Sequence, residues 1–179
     1  MDIYKNRRLV AKLAKNDFKT RYAGSYLGIV WAFIQPVITI LVYWFVFSVG
    51  FRSGTGDLGV PFVLYLVAGI VPWFFFQDAL MGGTNSLLEY NYLVKKVVFN
   101  ISVLPVVKII SAMFVHAFFV LFTIILYAAY GKFPDIYYLQ IIYYSGCVFL
   151  LVLGLSYATS AIVIFFRDLT QIINIVLQV

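Results

Sequence analysis

Residues 27–49 read LGIVWAFIQPVITILVYWFVFSV and contain no charged side chain. At roughly 1.5 Å per residue, a helix of this length reaches about 35 Å, enough to cross a hydrocarbon core about 30 Å thick. The first 21 residues contain seven Lys or Arg residues, and a basic flank beside a first span is typical of the cytoplasmic side. The stretch therefore predicts a membrane protein whose N-terminus is cytoplasmic.

The remainder of the chain is also strongly apolar, with 64% hydrophobic and 11% charged residues over 179 positions. In soluble proteins about 25% of residues are charged. Further apolar runs cover residues 61–81, 106–130, 139–166 and 172–179. The last run is too short to cross a bilayer, so we expect a fragment of a longer protein. The pattern predicts one all-α domain over residues 1–179, a polytopic membrane helical bundle of about four and a half spans.

The charges between the apolar runs support the same orientation. With a cytoplasmic N-terminus, ten Lys or Arg residues fall on the cytoplasmic side, Lys108 lies near the inner end of the third span, and only Arg52 and Lys132 lie outside. This bias follows the positive-inside rule and accounts for the net charge of +6, so we expect no nucleic-acid partner. The sequence predicts a multi-pass protein of the cell (inner or plasma) membrane.

An amphipathic interface helix is predicted over residues 2–22. At roughly 100° per residue, its main basic side chains fall within an arc of roughly 80°; they are Lys5, Arg8, Lys12, Lys15 and Lys19. Such a helix suits the membrane surface, with its apolar face in the headgroup boundary. Arg7, Asp17 and Arg21 interrupt that face. A basic flank that only orients the first span explains the charge equally well.

The segment after the second run, residues 85–96, mixes polar, aromatic and apolar residues and is longer than a simple turn requires. It is predicted to be a cytoplasmic docking element, with apolar side chains for a partner's pocket and charged ones for its rim. The candidate contacts are Leu87, Leu88, Glu89, Tyr90, Leu93, Val94, Lys95 and Lys96. A helix that lies against lipid is an equally good interpretation.

Catalytic and metal-binding chemistry is poorly represented. The chain has one histidine, His116, and one cysteine, Cys147, both within apolar runs, where packing or an interhelical hydrogen bond is the commoner role. The sequence has no metal-ligand cluster and no glycine-rich phosphate loop, so we expect neither a metal site nor ATP hydrolysis by this chain. Asp78 is the only carboxylate inside a predicted span, and we expect it to pair with a cation near the interface.

Aromatic side chains make up 20% of the chain and are abundant within the apolar runs. Most Tyr and Trp residues near span ends are expected to be interfacial anchors. Aromatic faces within the bilayer also stack on flat ligands, so a conduit for sugar rings is an alternative interpretation. The candidate conduit residues are Tyr22, Trp31, Phe33, Tyr43 and Trp73.

Five motifs in register carry a resemblance that covers the whole chain. They are RYAGSYLGIVW at residues 21–31 with QP at 35–36, GIVPWFFF at 69–76, NYLVKKVVF at 91–99, LP at 104–105 and FRD at 166–168. In this order they resemble type 2 ABC exporter permeases that move polysaccharides, O-antigen and teichoic acid. Asn100 stands where that family commonly has proline.

The resemblance implies a six-span permease that works as a dimer with two separate cytoplasmic ATPase subunits, which bind the ATP and Mg. The cargo it implies is a polysaccharide or teichoic acid precursor attached to a polyprenyl diphosphate lipid. This chain would then hold no cofactor and would be no enzyme by itself. The predicted docking element would be the ATPase-coupling element. Cations at the entrance for the lipid diphosphate would be Lys12, Lys15, Lys19 and Arg21.

Other function classes stay open at this point. A permease of the same family that moves a drug or a lipid without a glycan fits the same sequence physics. A secondary transporter would need interrupted helices or intramembrane charge pairs, of which the sequence offers little. A membrane-bound lipid or sugar transferase would need clustered acids or histidines on the cytoplasmic side, and these are absent from the sequence.

Overall fold

The computed structural model describes residues 7–23, 26–50, 60–90 and 101–178. Across these ranges the chain is helical and has no strand, which confirms the all-α prediction. Short 3-10 turns precede the second and fifth helices, and a π-helical turn, Val46–Gly50, extends the second. The helices are α1 (Arg7–Tyr22), α2 (Trp31–Phe45), α3 (Phe62–Glu89), α4 (Val103–Ala129), α5 (Leu139–Val163) and α6 (Leu169–Gln178).

Four helical stretches are long and apolar enough to cross a membrane by length and composition: Gly28–Gly50, Phe62–Glu89, Val103–Ala129 and Ile136–Val163. They correspond to the first four predicted spans and confirm a multi-pass membrane protein. The start of the predicted fifth run belongs to α6, which begins three residues earlier, at Leu169. Residues 2–6 of the predicted interface helix lie outside the described part of the chain.

The largest difference from the sequence prediction is at the end of α3. The apolar run ends at Met81, but the helix continues to Glu89 and is 28 residues long, or about 42 Å at 1.5 Å per residue. Gly83, Thr84 and Ser86 are buried in this extension. Packing against neighbouring helices therefore keeps the chain helical after its hydropathy falls, and Leu87 and Leu88 belong to the long helix.

Helix α3 lies at the centre of the bundle and contacts α2, α4, α5 and α6. Its inner stripe includes Phe75, Ala79 and Leu80, which pack with residues of α4, α5 and α6. A second cluster joins Ile40 of α2 to Val67 of α3. The remaining surfaces of the spans expose large apolar side chains, as expected for helices that face lipid.

Helix α1 packs against α4 through part of its apolar face, and its position at the headgroup boundary stays a prediction. Val10 and Ala14 are buried, and they contact Val103 and Val107 of α4. Together with Asp17 and Arg21, these α1 residues recur every three or four positions and so share one face. That face meets protein because it carries both small apolar side chains and, further along, charges that find partners there. Exposed on α1 are Leu9, Lys12, Lys15 and Lys19.

Helices α3 and α5 approach closely through small residues. A Cβ atom added at Gly83 would lie 2.6 Å from the Cβ atom of Ser156. Next to this contact the hydroxyl oxygens of Thr84 and Thr159 are 2.7 Å apart. Small side chains of this kind let membrane helices come together and support hydrogen bonds between them. The contact fixes α5 against the extended end of α3.

We expect Gly83→Ala to lower the free energy of unfolding of the detergent-solubilised protein by about 1 to 3 kcal/mol, and with it the melting temperature. The new methyl group overpacks the contact with Ser156. Gly69→Ala is the matched control on the same helix, since nothing lies within 4 Å of a Cβ atom there. Adding Ser156→Gly to Gly83→Ala should restore the melting temperature. Equal melting temperatures for the two alanine variants would contradict the close approach.

Candidate functional site

Four of the five candidate conduit aromatics line one cavity of about 670 Å³. This cavity, called the aromatic groove below, is bounded by α2, α3, α4, α6 and the end of α1. Its aromatic walls include Tyr22, Trp31, Tyr43 and Trp73. The fifth candidate, Phe33, is not among the lining residues and packs on Phe118 of α4, with ring centroids 4.4 Å apart. The structure therefore brings together all of the predicted set except Phe33.

Polar side chains that the sequence analysis did not identify line the same groove. On α2, Gln35 and Thr39 lie between Trp31 and Tyr43 at a constant spacing of four residues, which places all of them on one side of the helix. Gln77 of α3 donates a hydrogen bond to the carbonyl oxygen of Leu177. On α6 the groove is lined by Asn174 and Gln178.

The aromatic groove offers two kinds of contact at once. Trp31, Tyr43 and Trp73 expose 42%, 43% and 43% of their surfaces, so their rings are open to a ligand. Amide side chains can donate and accept hydrogen bonds, which hydroxyl-rich ligands require. Polar residues within membrane segments are expensive unless they face a cavity or protein. The groove is thus suited to a ligand that has flat faces and many hydroxyl groups.

A charged cluster lies at the end of the bundle where α1 packs. It consists of Asp17, Arg21, Asp78, Glu89 and Lys108, which α1, α3 and α4 contribute. Lys108 is 5% exposed, and its Nζ atom lies 2.7 Å from Oδ1 of Asp17 and also contacts Glu89. A lysine in such a position is stable only when paired. The pairing ties α1 and the end of α3 to α4.

Tyr90 completes the environment of Asp17. Its hydroxyl group donates a hydrogen bond of 2.6 Å to Oδ1 of Asp17, and the Lys108 ammonium lies 5.1 Å from the Tyr90 ring centroid. Burial alone would raise the pKa of Asp17, but the hydrogen bonds from Lys108 and Tyr90 outweigh it and hold that pKa below its ordinary 3.8. The stabilisation from this carboxylate is present above the unfolded-state pKa and is lost as the pH falls through the lower folded value.

Arg21 and Asp78 form the second ion pair of the cluster. The Nη1 atom of Arg21 lies 2.8 Å from both carboxylate oxygens of Asp78, which confirms that Asp78 pairs with a cation. Burial alone would lower the pKa of the Arg21 guanidinium, but the charge of Asp78 outweighs it and holds that pKa above its ordinary value. Arg21 is therefore already paired in this structure, unlike Lys12, Lys15 and Lys19, for which no partner is described.

The candidate docking contacts fall into three groups. Leu87 and Leu88 are half-buried in the last turn of α3. Glu89 and Tyr90 contact the charged cluster, so their polar groups point towards α1 and α4. The remaining four, Leu93, Val94, Lys95 and Lys96, lie outside the described residues. For all eight residues, contact with a partner stays a prediction.

His116 makes the interhelical contact that its position in an apolar run predicted. Its Nε2 atom lies 3.1 Å from the Ser145 hydroxyl oxygen, which joins α4 to α5. Cys147 is exposed on α5. Among the described ranges, no group of three His, Cys, Asp or Glu residues could hold a metal ion.

The family described as ABC-2 type transporter matches residues 8–179. This chain belongs to that family. The ABC-2 chain is similar to the O-antigen export system permease protein RfbA of Myxococcus xanthus, with 29% identity over 176 residues, 97% of this chain and 65% of that protein. It is also 27% identical over 175 residues to the protein of the same name from Klebsiella pneumoniae, over 93% of this chain and 63% of the relative.

The ABC-2 chain thus spans slightly less than two thirds of the length of the curated relatives it matches. The family match covers residues 8–179, and the multi-pass helical fold is that of the described ranges. These ranges contain the aromatic groove and the charged cluster.

We expect Lys108→Met to lower the free energy of unfolding of the ABC-2 chain by about 3 to 5 kcal/mol, because the carboxylate of Asp17 loses its buried cation. Lys132→Met is the control, since Lys132 is exposed. The measurement is thermal unfolding in detergent at neutral pH. Adding Asp17→Asn should recover part of the loss in a double-mutant cycle. Strictly additive losses for Asp17→Asn and Lys108→Met would show that the pair does not interact.

Proposed function

We propose that this chain is the membrane-spanning permease part of an ATP-driven exporter that moves a lipid-linked polysaccharide from the cytoplasm to the outer side of the cell membrane. The observation that carries the proposal is the aromatic groove, which places exposed Trp and Tyr rings and amide side chains in one cavity. Sugars present flat faces to aromatic rings and hydroxyl groups to amides. The two relatives are both O-antigen export permeases by name, which favours an O-antigen-type polysaccharide over a teichoic acid precursor.

In this proposal the charged cluster lies on the cytoplasmic side, where the positive-inside rule puts the basic N-terminal segment. Lys12, Lys15 and Lys19 are exposed on α1 and are available to anionic groups at the membrane surface. They would receive the diphosphate of the lipid carrier before its glycan reaches the groove. Arg21, which pairs with Asp78, is the member of this set closest in sequence to the groove residue Tyr22.

An ATPase on a separate subunit is the second element of the proposal. The docking element begins in the last turn of α3 with Leu87 and Leu88 and continues through Lys96. Since Glu89 contacts Lys108 and Tyr90 donates to Asp17, a displacement of this element would be passed directly to α1 and α4. This chain supplies no phosphate-binding loop, so ATP and Mg would belong to the partner.

A second copy of the chain would complete the pathway. The aromatic groove is open along α2, since its lining residues Trp31, Gln35 and Tyr43 are exposed. If the groove faced lipid, exposing the amide groups of Gln35 and Gln77 to it would cost free energy. A homodimer in which the two grooves face each other would enclose those groups in a shared conduit.

Two competing functions are less well supported by the groove and the cluster. A carrier for an apolar drug or a plain lipid would not need amide side chains from three helices in the same cavity as the rings. A secondary transporter would need charge pairs along its pathway, whereas the described ion pairs gather at one end of the bundle.

We expect the full-length protein, purified from native membranes, to recover an ATPase subunit that contains a phosphate-binding loop, and Leu93→Asp to abolish this recovery while membrane insertion remains intact. An aspartate on an apolar docking surface leaves a desolvated charge without a partner. The matched control is Leu139→Asp, at an exposed position 67% accessible in the first turn of α5. Mass spectrometry of the eluate measures the outcome. If the unsubstituted protein recovers no ATPase with a phosphate-binding loop, the exporter proposal is contradicted.

We expect Trp73→Ala to reduce export of the cell's surface polysaccharide by about twofold to tenfold, because one stacking surface in the groove is lost. Tyr65→Ala is the control on the same helix, since Tyr65 is 72% exposed and is not among the groove residues. Surface polysaccharide is measured by antibody or lectin binding at matched protein levels. Equal export by both variants would argue against the groove as the sugar pathway.

A further inference from the structure

The Arg21–Asp78 ion pair lies where two cavities meet. One is the aromatic groove, and the other is a cavity of about 460 Å³ at the α1 end, called the polar cavity, whose lining includes Asn16, Thr20 and Asn85. Arg21 lines the polar cavity, while Asp78 lines both cavities. Met81 is likewise shared between them. The pair therefore spans the boundary between the two spaces and connects the end of α1 to α3.

The two ion pairs of the charged cluster differ in how easily they can be exchanged. The side chains of Lys108 and Asp17 are 7% and 5% exposed, whereas those of Arg21 and Asp78 are 22% and 45% exposed. Breaking a buried pair leaves a desolvated charge. A partly exposed pair contributes less to stability than a buried one, because water competes for its more exposed partner, here Asp78. Lys108–Asp17 is thus a fixed structural contact, and Arg21–Asp78 is one that another anion can replace.

The geometry at Arg21 leaves hydrogen-bonding capacity for such an anion. A single nitrogen, Nη1, serves both oxygens of Asp78, while Nη2 is 3.7 Å from the nearest carboxylate oxygen of Asp17. A guanidinium carries five N–H donors in a planar fork that matches phosphate as well as carboxylate. The Nη2 atom lies next to Gly82, where an added Cβ atom would be 3.4 Å from it.

We propose that Asp78 is an internal competitor for an anion-binding site at Arg21 and that a phosphate-bearing ligand displaces it. The inference rests on the proposed function, because the lipid diphosphate is the ligand that this function would bring to the α1 end. With its guanidinium paired to Asp78, Arg21 holds α1 against α3 at the boundary of the two cavities. With phosphate on Arg21, that tie is released and Asp78 becomes a free carboxylate facing the groove.

The test compares the full-length protein with its Asp78→Asn variant in nanodiscs. In one arm, free inorganic pyrophosphate is titrated into phosphatidylcholine nanodiscs and followed by calorimetry. In the other, native mass spectrometry measures how much phosphatidic acid is retained from mixed nanodiscs relative to phosphatidylcholine. We expect Asp78→Asn to tighten binding by about twofold to fivefold in at least one arm, since the competing carboxylate is gone while the shape is kept. The arm that shows the gain identifies a free phosphate or a lipid headgroup as the source.

Two further variants make the test specific. Arg21→Gln should abolish the gain when added to Asp78→Asn. Asp135→Asn removes the same charge at a helix start, where Asn also serves as a cap, and should leave binding unchanged. No gain from Asp78→Asn in either arm, or a gain that survives Arg21→Gln, would overturn the proposal. Recovery of the ATPase is measured on the same preparations. Failure of the exporter proposal can therefore be distinguished from failure of the competitor proposal.

Discussion

A buried lysine in the third membrane span organises the end of this bundle. Lys108 lies in the second turn of α4, and its ammonium group needs carboxylates within reach because an unpaired buried charge is strongly destabilising. Asp17 comes from α1 and Glu89 from the end of α3. Meeting this one requirement brings three helices together at a point where their apolar surfaces alone would not specify the register.

The position of α1 has consequences for the groove. With Val10 and Ala14 packed on α4, the last turn of α1 delivers Arg21 to Asp78 and Tyr22 to the wall of the aromatic groove. Lys12, Lys15 and Lys19 remain on the exposed side. A helix that could have been only a membrane anchor thus becomes part of the site, with its cations at the surface and its aromatic end at the groove.

The class of fold follows from the sequence because charge-free runs longer than a bilayer leave few alternatives. Periodicity along α2 could also have identified the groove, since Trp31, Gln35, Thr39 and Tyr43 are spaced by four. The aromatic members were predicted from their chemistry. The amides were missed because an isolated Gln carries no signal until α3 and α6 place others beside it.

The charged cluster could be predicted only in part. Asp17 and Arg21 were evident as interruptions of an apolar face, and Lys108 as a cation inside an apolar run, but each has several candidate partners in the sequence. Their pairing depends on how α1 crosses α4, which is a tertiary property. The extension of α3 past Met81 was missed for a similar reason, since its buried Gly83, Thr84 and Ser86 read as polar loop residues until α5 covers them.

Spin-label accessibility along α1 tests the central claim that this helix packs on α4 and not on lipid. Labels at positions 9, 10, 12 and 14 of the full-length protein in liposomes would be measured with oxygen and with a water-soluble nickel complex. The structure predicts that labels replacing Val10 and Ala14 are shielded from both reagents, whereas those replacing Leu9 and Lys12 are accessible. High oxygen accessibility at positions 10 and 14 would contradict it, because that face would then lie in lipid.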